Sequence, residues 1–410
     1  MPKASLALTA VLFCWLQLCK AQTFSDYIFV ASNNGLVYTI HFWEDGAQFS
    51  LSEASRHDGC GASPTWLTLR TSGGLWCLDE GLLSAQASAN RFTLSLDGNL
   101  AHAERINISA GPVQSVEIDN GRSLAIACYG GEFPIQGGVT TLVTSVNGSI
   151  EGGKFLQLPP LSSPGPKSAQ TVARAHGTTL DPSGRFLIVP DLGADMVRVF
   201  SVQNGTGSIK FENQVKMLDG SGPRHAVFWR HPNATYSPSP AYLYVVSEFA
   251  STITVFKAVY TATSLALEYT GQTLSTLGNY SDSASLAAAA EIAISPDKRF
   301  LVVSNRNDTS FVSPPSDSLA VFKICPSDGS LEFRQLARAG GRWPRHFDIN
   351  TAGDRVLVAL QRDSKIVILS RDNDNGNIGS LVATLDIETT DTSGKDTGVN
   401  AAIWMRTPQA

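Results

Sequence analysis

Hydrophobic residues in this chain fall in short runs of four to six β-branched or aromatic positions, each closed by Gly, Pro, Asn or Asp. The three-and-four spacing of amphipathic helices is nearly absent, and the best helical candidate is the Ala-rich run from Leu286 to Ala290, which reads more simply as a loop. Three segments align in their first halves: "HGTTLDPSGRFLIVPDLG", "AEIAISPDKRFLVVSNRN" and "RHFDINTAGDRVLVALQRD". Each reads as strand, turn and strand. A third strand follows in "MVRVFSV", "SLAVFKI" and "KIVILS", and a fourth after a turn, as in "NGTGSIKFENQVKM". Weaker copies are "VQSVEIDNGRSLAIACYGG", "PTWLTLRTSGGLWCLDEG" and "HAVFWRHPNATYSPSPAYLYVVSEF", the last with an inserted loop at 231–240. Near the start, "DYIFVASNNGLVYTIHF" supplies the second and third strands of a unit without a first, and "VNAAIWM" at the far end can supply it. Seven four-stranded units of about 55 residues, closed by a borrowed strand, predict a seven-bladed β-propeller, which leaves only short protected edges.

Composition adds a compartment. Lys3, an apolar run over 4–18 and Cys19-Lys20-Ala21 have the layout of a secretory signal peptide, so residues 1–21 are read as the leader and 22–410 as one propeller domain. No later stretch approaches the length of a membrane span. The mature chain is expected to be secreted, with wall or surface association left open. The formal charge of −5 becomes more negative once Lys3 and Lys20 leave, and without basic runs the chain is a poor candidate for nucleic acid. N-x-S/T sequons at Asn107, Asn147, Asn204, Asn233 and Asn279 are expected to carry glycans, and a sixth at Asn307 to be the least occupied. Cys60 and Cys77 flank one predicted strand and its turn and can pair in an oxidising compartment, whereas Cys128 and Cys325 lie in apolar patterns and read as buried. No CxxC or HExxH occurs and the histidines are scattered, so neither a metal nor another cofactor is expected.

The candidate chemistry comes from a doublet. "GPRHAVF" (222–228) returns as "WPRHFDI" (343–349), each placing Arg-His where a loop enters a first strand. First and second strands of a blade are antiparallel, so the start of one and the end of the other share one end of the ring. His176, Arg224, His225, Arg345 and His346 are at starts of first strands; Tyr129, Asp191, Glu248, Arg306 and Gln361 are at ends of second strands. All therefore face one mouth of the central channel, from five blades. Propeller channels are also filled by polar side chains for structural reasons; His225 and Asp191 read as structural, Asp191 bracing an arginine. Arg224, Arg306 and Arg345 together suit an anion, because guanidinium forks match carboxylates.

The same segments resemble the lactonase seven-bladed propeller family, which includes bacterial 6-phosphogluconolactonase and the fungal carboxymuconate lactonizing enzyme. The resemblance spans the mature chain and is densest over about 170–370. It implies His176 and Glu248 as a proton-transfer pair, with Arg224 and Arg306 clamping a carboxylated substrate; Arg345, Gln361 and His225 complete the expected binding set. The expected function is formation or opening of a lactone on a carboxylated small molecule. A secreted propeller that only binds or adheres is the alternative.

Overall fold

The computed structural model describes residues 24–83, 86–145, 148–231, 240–279, 286–308, 310–388 and 398–406. The leader over 1–21 and the sequons at Asn147 and Asn233 lie outside them. Among the described residues the strands form seven four-stranded antiparallel sheets arranged as blades, with a single 3-10 turn at Gln361–Asp363. Six blades use consecutive strands. Blade one takes its innermost strand, β28 (Val399–Trp404), from the end of the chain and pairs it with β1 (Phe24–Ser32).

Why these segments become blades is visible in one turn. In blade four, Asp181 accepts the amides of Ser183 (2.9 Å) and Phe186 (2.7 Å), and Gly184 takes a positive φ of 72°. Ser295 accepts the amide of Phe300 (3.0 Å) in blade six, and Asn350 that of Arg355 (3.0 Å) in blade seven. A short side-chain acceptor at the first turn position thus closes the hairpin three times. Second strands are sandwiched between neighbouring blades and so read as unbroken apolar runs: β13 (Phe186–Asp191) and β21 (Phe300–Arg306) are buried along their full length. Fourth strands such as β3 (Gln48–His57) face solvent and alternate over most of their length.

Two expectations change. The Ala-rich run is neither helix nor loop throughout, because Ala288–Ala290 open the first strand of blade six, β20 (Ala288–Ile294). Small side chains suit it there, since this inner strand crowds against its neighbours at the channel. Cys325 is partly exposed in the turn after β22 (Ser318–Ile324), where the strand has already ended, while Cys128 is fully buried.

Cys60 and Cys77 form a disulfide with their Cα atoms 5.7 Å apart, fastening the approach to blade two onto its second strand. It closes a loop with a sequence separation of 17 residues. Removing it as Cys60→Ser/Cys77→Ser is expected to lower the unfolding free energy by about 3 kcal/mol in denaturant titration. Asn107, Asn204 and Asn279 are exposed, whereas Asn307 is half-buried and donates its Nδ2 to Leu286 O at 3.0 Å.

Candidate active site

Adjacent residues of a strand point to opposite sides, so Arg224 and His225 should not share a channel. A β-bulge removes the difficulty. In β16 (Pro223–Arg230), Pro223 opposes Ser247 and His225 opposes Val246, leaving Arg224 as the extra residue; in β24 (Pro344–Ile349), Arg345 is extra in the same way. Proline is tolerated there because a ladder hydrogen bond is already missing. Pro-Arg-His is therefore a bulge that turns an arginine toward the mouth above a histidine that stays in the channel. His176 arrives differently. The first strand of blade four is reduced to Thr179–Leu180, because Thr178 gives its amide to the Gln114 side chain of blade three (2.7 Å). Gly177 next to it lets the backbone approach: a Cβ there would lie 2.7 Å from Arg224 O and 2.9 Å from Gln114 Oε1.

These devices bring four of the expected residues into contact. Arg224 donates from Nη1 both to His176 Nε2 and to Glu248 Oε2, the latter at 2.9 Å, and from Nε to Ala290 O at 3.2 Å. Glu248, one residue past β17 (Ala241–Ser247), has its other oxygen 2.9 Å from Arg306 Nη2. Arg306 also donates to Ala288 O (3.3 Å) and lies over the Trp343 ring at 5.8 Å. Arg345 stands slightly apart, donating to Thr65 Oγ1 (2.9 Å) and facing Glu80 Oε2 at 3.5 Å.

Electrostatics sets the protonation of this cluster. Burial pushes the His176 imidazole well below its ordinary value, and Arg224, His225 and Arg345 push the same way, so it is neutral. Because Arg224 can only donate, Nε2 of His176 is the lone-pair nitrogen and the proton is assigned to Nδ1. Burial alone would raise the Glu248 carboxyl, but Arg306 and Arg224 outweigh it and hold it below the usual range, hence ionised. Burial, reinforced by Arg306, lowers Arg224 to about 10, still protonated at neutral pH. At the mouth itself three guanidiniums, Arg224, Arg306 and Arg345, face two carboxylates, Glu248 and Glu80, with a third, Glu291, one layer below, so the excess of cation lies at the opening, where an anionic substrate or an oxyanion would enter.

The protein-family model described as "Lactonase, 7-bladed beta-propeller" matches residues 24–391. The chain belongs to this family. It is 28% identical over 365 residues to a protein of Arthroderma benhamiae named "Probable 6-phosphogluconolactonase", covering 88% of this chain and 86% of that one. It is 30% identical over 218 residues to a 6-phosphogluconolactonase of Formosa agariphila, covering 52% of this chain and 56% of the relative. The periplasmic gluconolactonase PpgL of Pseudomonas aeruginosa shares the fold, with a TM-score of 0.74 at 22% identity over 89% of this chain and 97% of that one.

Not every expected residue of this lactonase propeller joins the cluster. Gln361 enters the 3-10 turn and is carried to the closing seam, where its Nε2 donates to Asn400 Oδ1 of β28 at 2.7 Å. Asp191 accepts from Arg198 at 2.8 Å, bracing an arginine as expected. Tyr129 packs edge-on to His176 (5.5 Å between ring centroids) beneath Arg174 (4.5 Å to the ring), and burial raises its phenol. His225 lies one layer deeper, its Nδ1 3.2 Å from both Glu291 oxygens, with the Trp66 ring 5.5 Å away. Glu291, Glu80 and Trp66 carry no motif that singles them out, and Trp343 opens the second Pro-Arg-His segment without being marked by its residue type. Asp317 holds the Trp343 amide (2.6 Å) and thereby the loop beside Arg306. Below the histidine layer, a cavity of about 630 Å³ lined by Trp66, Gln114, Glu291 and His346 extends toward Arg70, Asp348 and Arg406 at the opposite end of the ring. Among the described residues, no three His, Cys, Asp or Glu side chains converge to hold a metal ion. No helix among them is long and apolar enough to cross a membrane.

Proposed function

We propose that this propeller hydrolyses a lactone at the arginine-lined mouth, with His176 as general base, and that it does so outside the cell. The observation that carries the reading is the Arg224 guanidinium bridging the lone pair of a neutral His176 and an ionised Glu248. An incoming lactone carbonyl, or a carboxylate on the substrate, draws the guanidinium forward and leaves His176 Nε2 to a water. That water gives a proton to Nε2 as its oxygen attacks the carbonyl carbon, and the π pair moves onto the carbonyl oxygen facing Arg224 and Arg306. Collapse breaks the ring C–O bond, the proton passes from Nε2 to the departing oxygen, and a hydroxy acid results. Glu248 keeps both guanidiniums aimed. An ionised carboxylate shared by two arginines is too weak a base to compete with the imidazole.

Relatives named as gluconolactonases and 6-phosphogluconolactonases support ring opening as the direction of reaction. The surplus of guanidinium over carboxylate favours a lactone that itself carries a carboxylate, of the carboxymuconate type, over a neutral one. The Cys60–Cys77 bridge and the exposed sequons at Asn107, Asn204 and Asn279 support a secretory origin. The test offers the purified protein carboxylated, phosphorylated and neutral lactones and follows acid release. Turnover of a carboxylated lactone, lost in His176→Ala, is expected. If nothing in the panel turns over while di- and tricarboxylates still raise the melting temperature, the mouth binds anions without catalysis.

A further inference from the structure

A histidine crowded by arginines is a poor base, and the hydrolytic reading needs something to offset them. Beneath the mouth sit two buried nitrogens of complementary kind. His176 carries its proton on Nδ1, since Nε2 accepts from Arg224, and that Nδ1 has no hydrogen-bond partner among the described residues. Glu291, ionised because His225 and His346 outweigh the effect of its burial, accepts the Nδ1–H of His225. The opposite nitrogen of that ring, Nε2, is then a bare acceptor, also buried and also without a partner among the described residues. The two rings are neighbours, with centroids 5.3 Å apart and planes at 62°. An orphan donor thus stands beside an orphan acceptor, and a buried polar atom left unpaired is costly.

We propose that Glu291 and His225 are positioning residues for His176: Glu291 fixes His225 with its proton on Nδ1, and the bare Nε2 of His225 receives the Nδ1–H of His176 during the reaction. The consequence is electrostatic as well as geometric. When His176 takes the proton of water on Nε2 it becomes an imidazolium, and a chain of two hydrogen bonds ends on the Glu291 carboxylate. The negative charge that Glu248 spends on the arginines is replaced from below. Facing His176 are Arg224, Arg345, His225 and Tyr129; facing His225 are Glu291, His346, Arg224 and Trp66. Of these, Glu291 is the carboxylate in hydrogen-bond contact with the relay. This role rests on the hydrolytic reading above, because it matters only if His176 is the base.

Two measurements test it. In protein with 15N-labelled histidine, ring NMR at neutral pH should show both His176 and His225 as neutral rings protonated on Nδ1. A wild-type His225 protonated on Nε2 would overturn the relay, whether or not any lactone is hydrolysed. On the best lactone of the panel, Glu291→Gln should lower kcat at least about tenfold with little change in KM. It should also shift the acidic limb of the kcat/KM profile to lower pH, because removing a negative charge makes the His176 imidazolium easier to deprotonate. Glu291→Asp, which keeps the carboxylate, should leave the limb in place. A Glu291→Gln enzyme whose rate falls with the limb unmoved would assign Glu291 a purely structural role and sink the relay. An inactive wild type would remove the hydrolytic reading and leave the tautomer result standing on its own.

Discussion

Replacing Trp404 by alanine is expected to lower the unfolding free energy by about 3–5 kcal/mol. Trp404 is 1% exposed and lies at the end of the strand that the C-terminus lends to blade one. Its ring meets Phe42 edge-on at 5.5 Å, and it packs in a cluster with Ile28, Ile40, Leu357 and Ile366, so it joins blade one to blade seven. Its backbone amide is also held by Asp348 Oδ2 (3.0 Å), whose other oxygen pairs with Arg406 (2.7 Å). Truncation leaves a cavity where the two ends of the sequence meet, and packing on either side cannot collapse without breaking the ladder between β28 and β1. Urea unfolding followed by fluorescence and circular dichroism would measure the change. A loss below about 1 kcal/mol would mean that the ladder, rather than the buried ring, holds the propeller shut.

The second large effect is on chemistry. Arg224→Ala should lower kcat/KM by about 10²–10³-fold, the range for losing a preorganised donor to a developing oxyanion. Arg224→Lys should recover little of it. One ammonium cannot hold His176 Nε2 and Glu248 together while also reaching Ala290 O, as the planar fork does. Steady-state kinetics on the best lactone, with circular dichroism to confirm folding, decides the point. Folding should survive, because Glu248 keeps Arg306 as a partner. A lysine variant with near wild-type activity would reduce Arg224 to a point charge and remove the bridge from the mechanism.

The architecture could be read in advance because each blade repeats its own local grammar: an acceptor at the turn, an apolar second strand, an alternating outer strand. The borrowed strand was legible too, since "DYIFVAS" starts a unit that lacks a first strand and "VNAAIWM" ends the chain with one to spare. His176, Arg224, Glu248 and Arg306 were found from their positions at the ends of strands, which the ring converts into a common mouth. Gln361 satisfied the same positional rule and still left the cluster, because a 3-10 turn starts at that residue and carries it toward Asn400. Glu291 escaped for the opposite reason. It sits inside an apolar run, and its partners His225 and His346 come from the two blades flanking its own, so nothing local marks it as the acid that holds a histidine. Which inner-strand side chains meet across the channel depends on bulges and ring closure, and neither leaves a periodic trace.

The borrowed strand also sets a timetable for synthesis. Val399 follows its partner Ser32 by 367 residues, so at roughly 5–20 residues per second the inner edge of β1 waits about 20–70 s for its partner. Throughout that wait the largely apolar segment Ile28 to Ser32 is made and unpaired on one side. Six blades can assemble in order while the first remains a three-stranded fragment with an open edge, suited to chaperone capture or to pairing with a second nascent copy. A frameshift or stop codon just before residue 399 would therefore release a chain with six finished blades that is prone to aggregate, and quality control would see the damage in blade one, the first to be made.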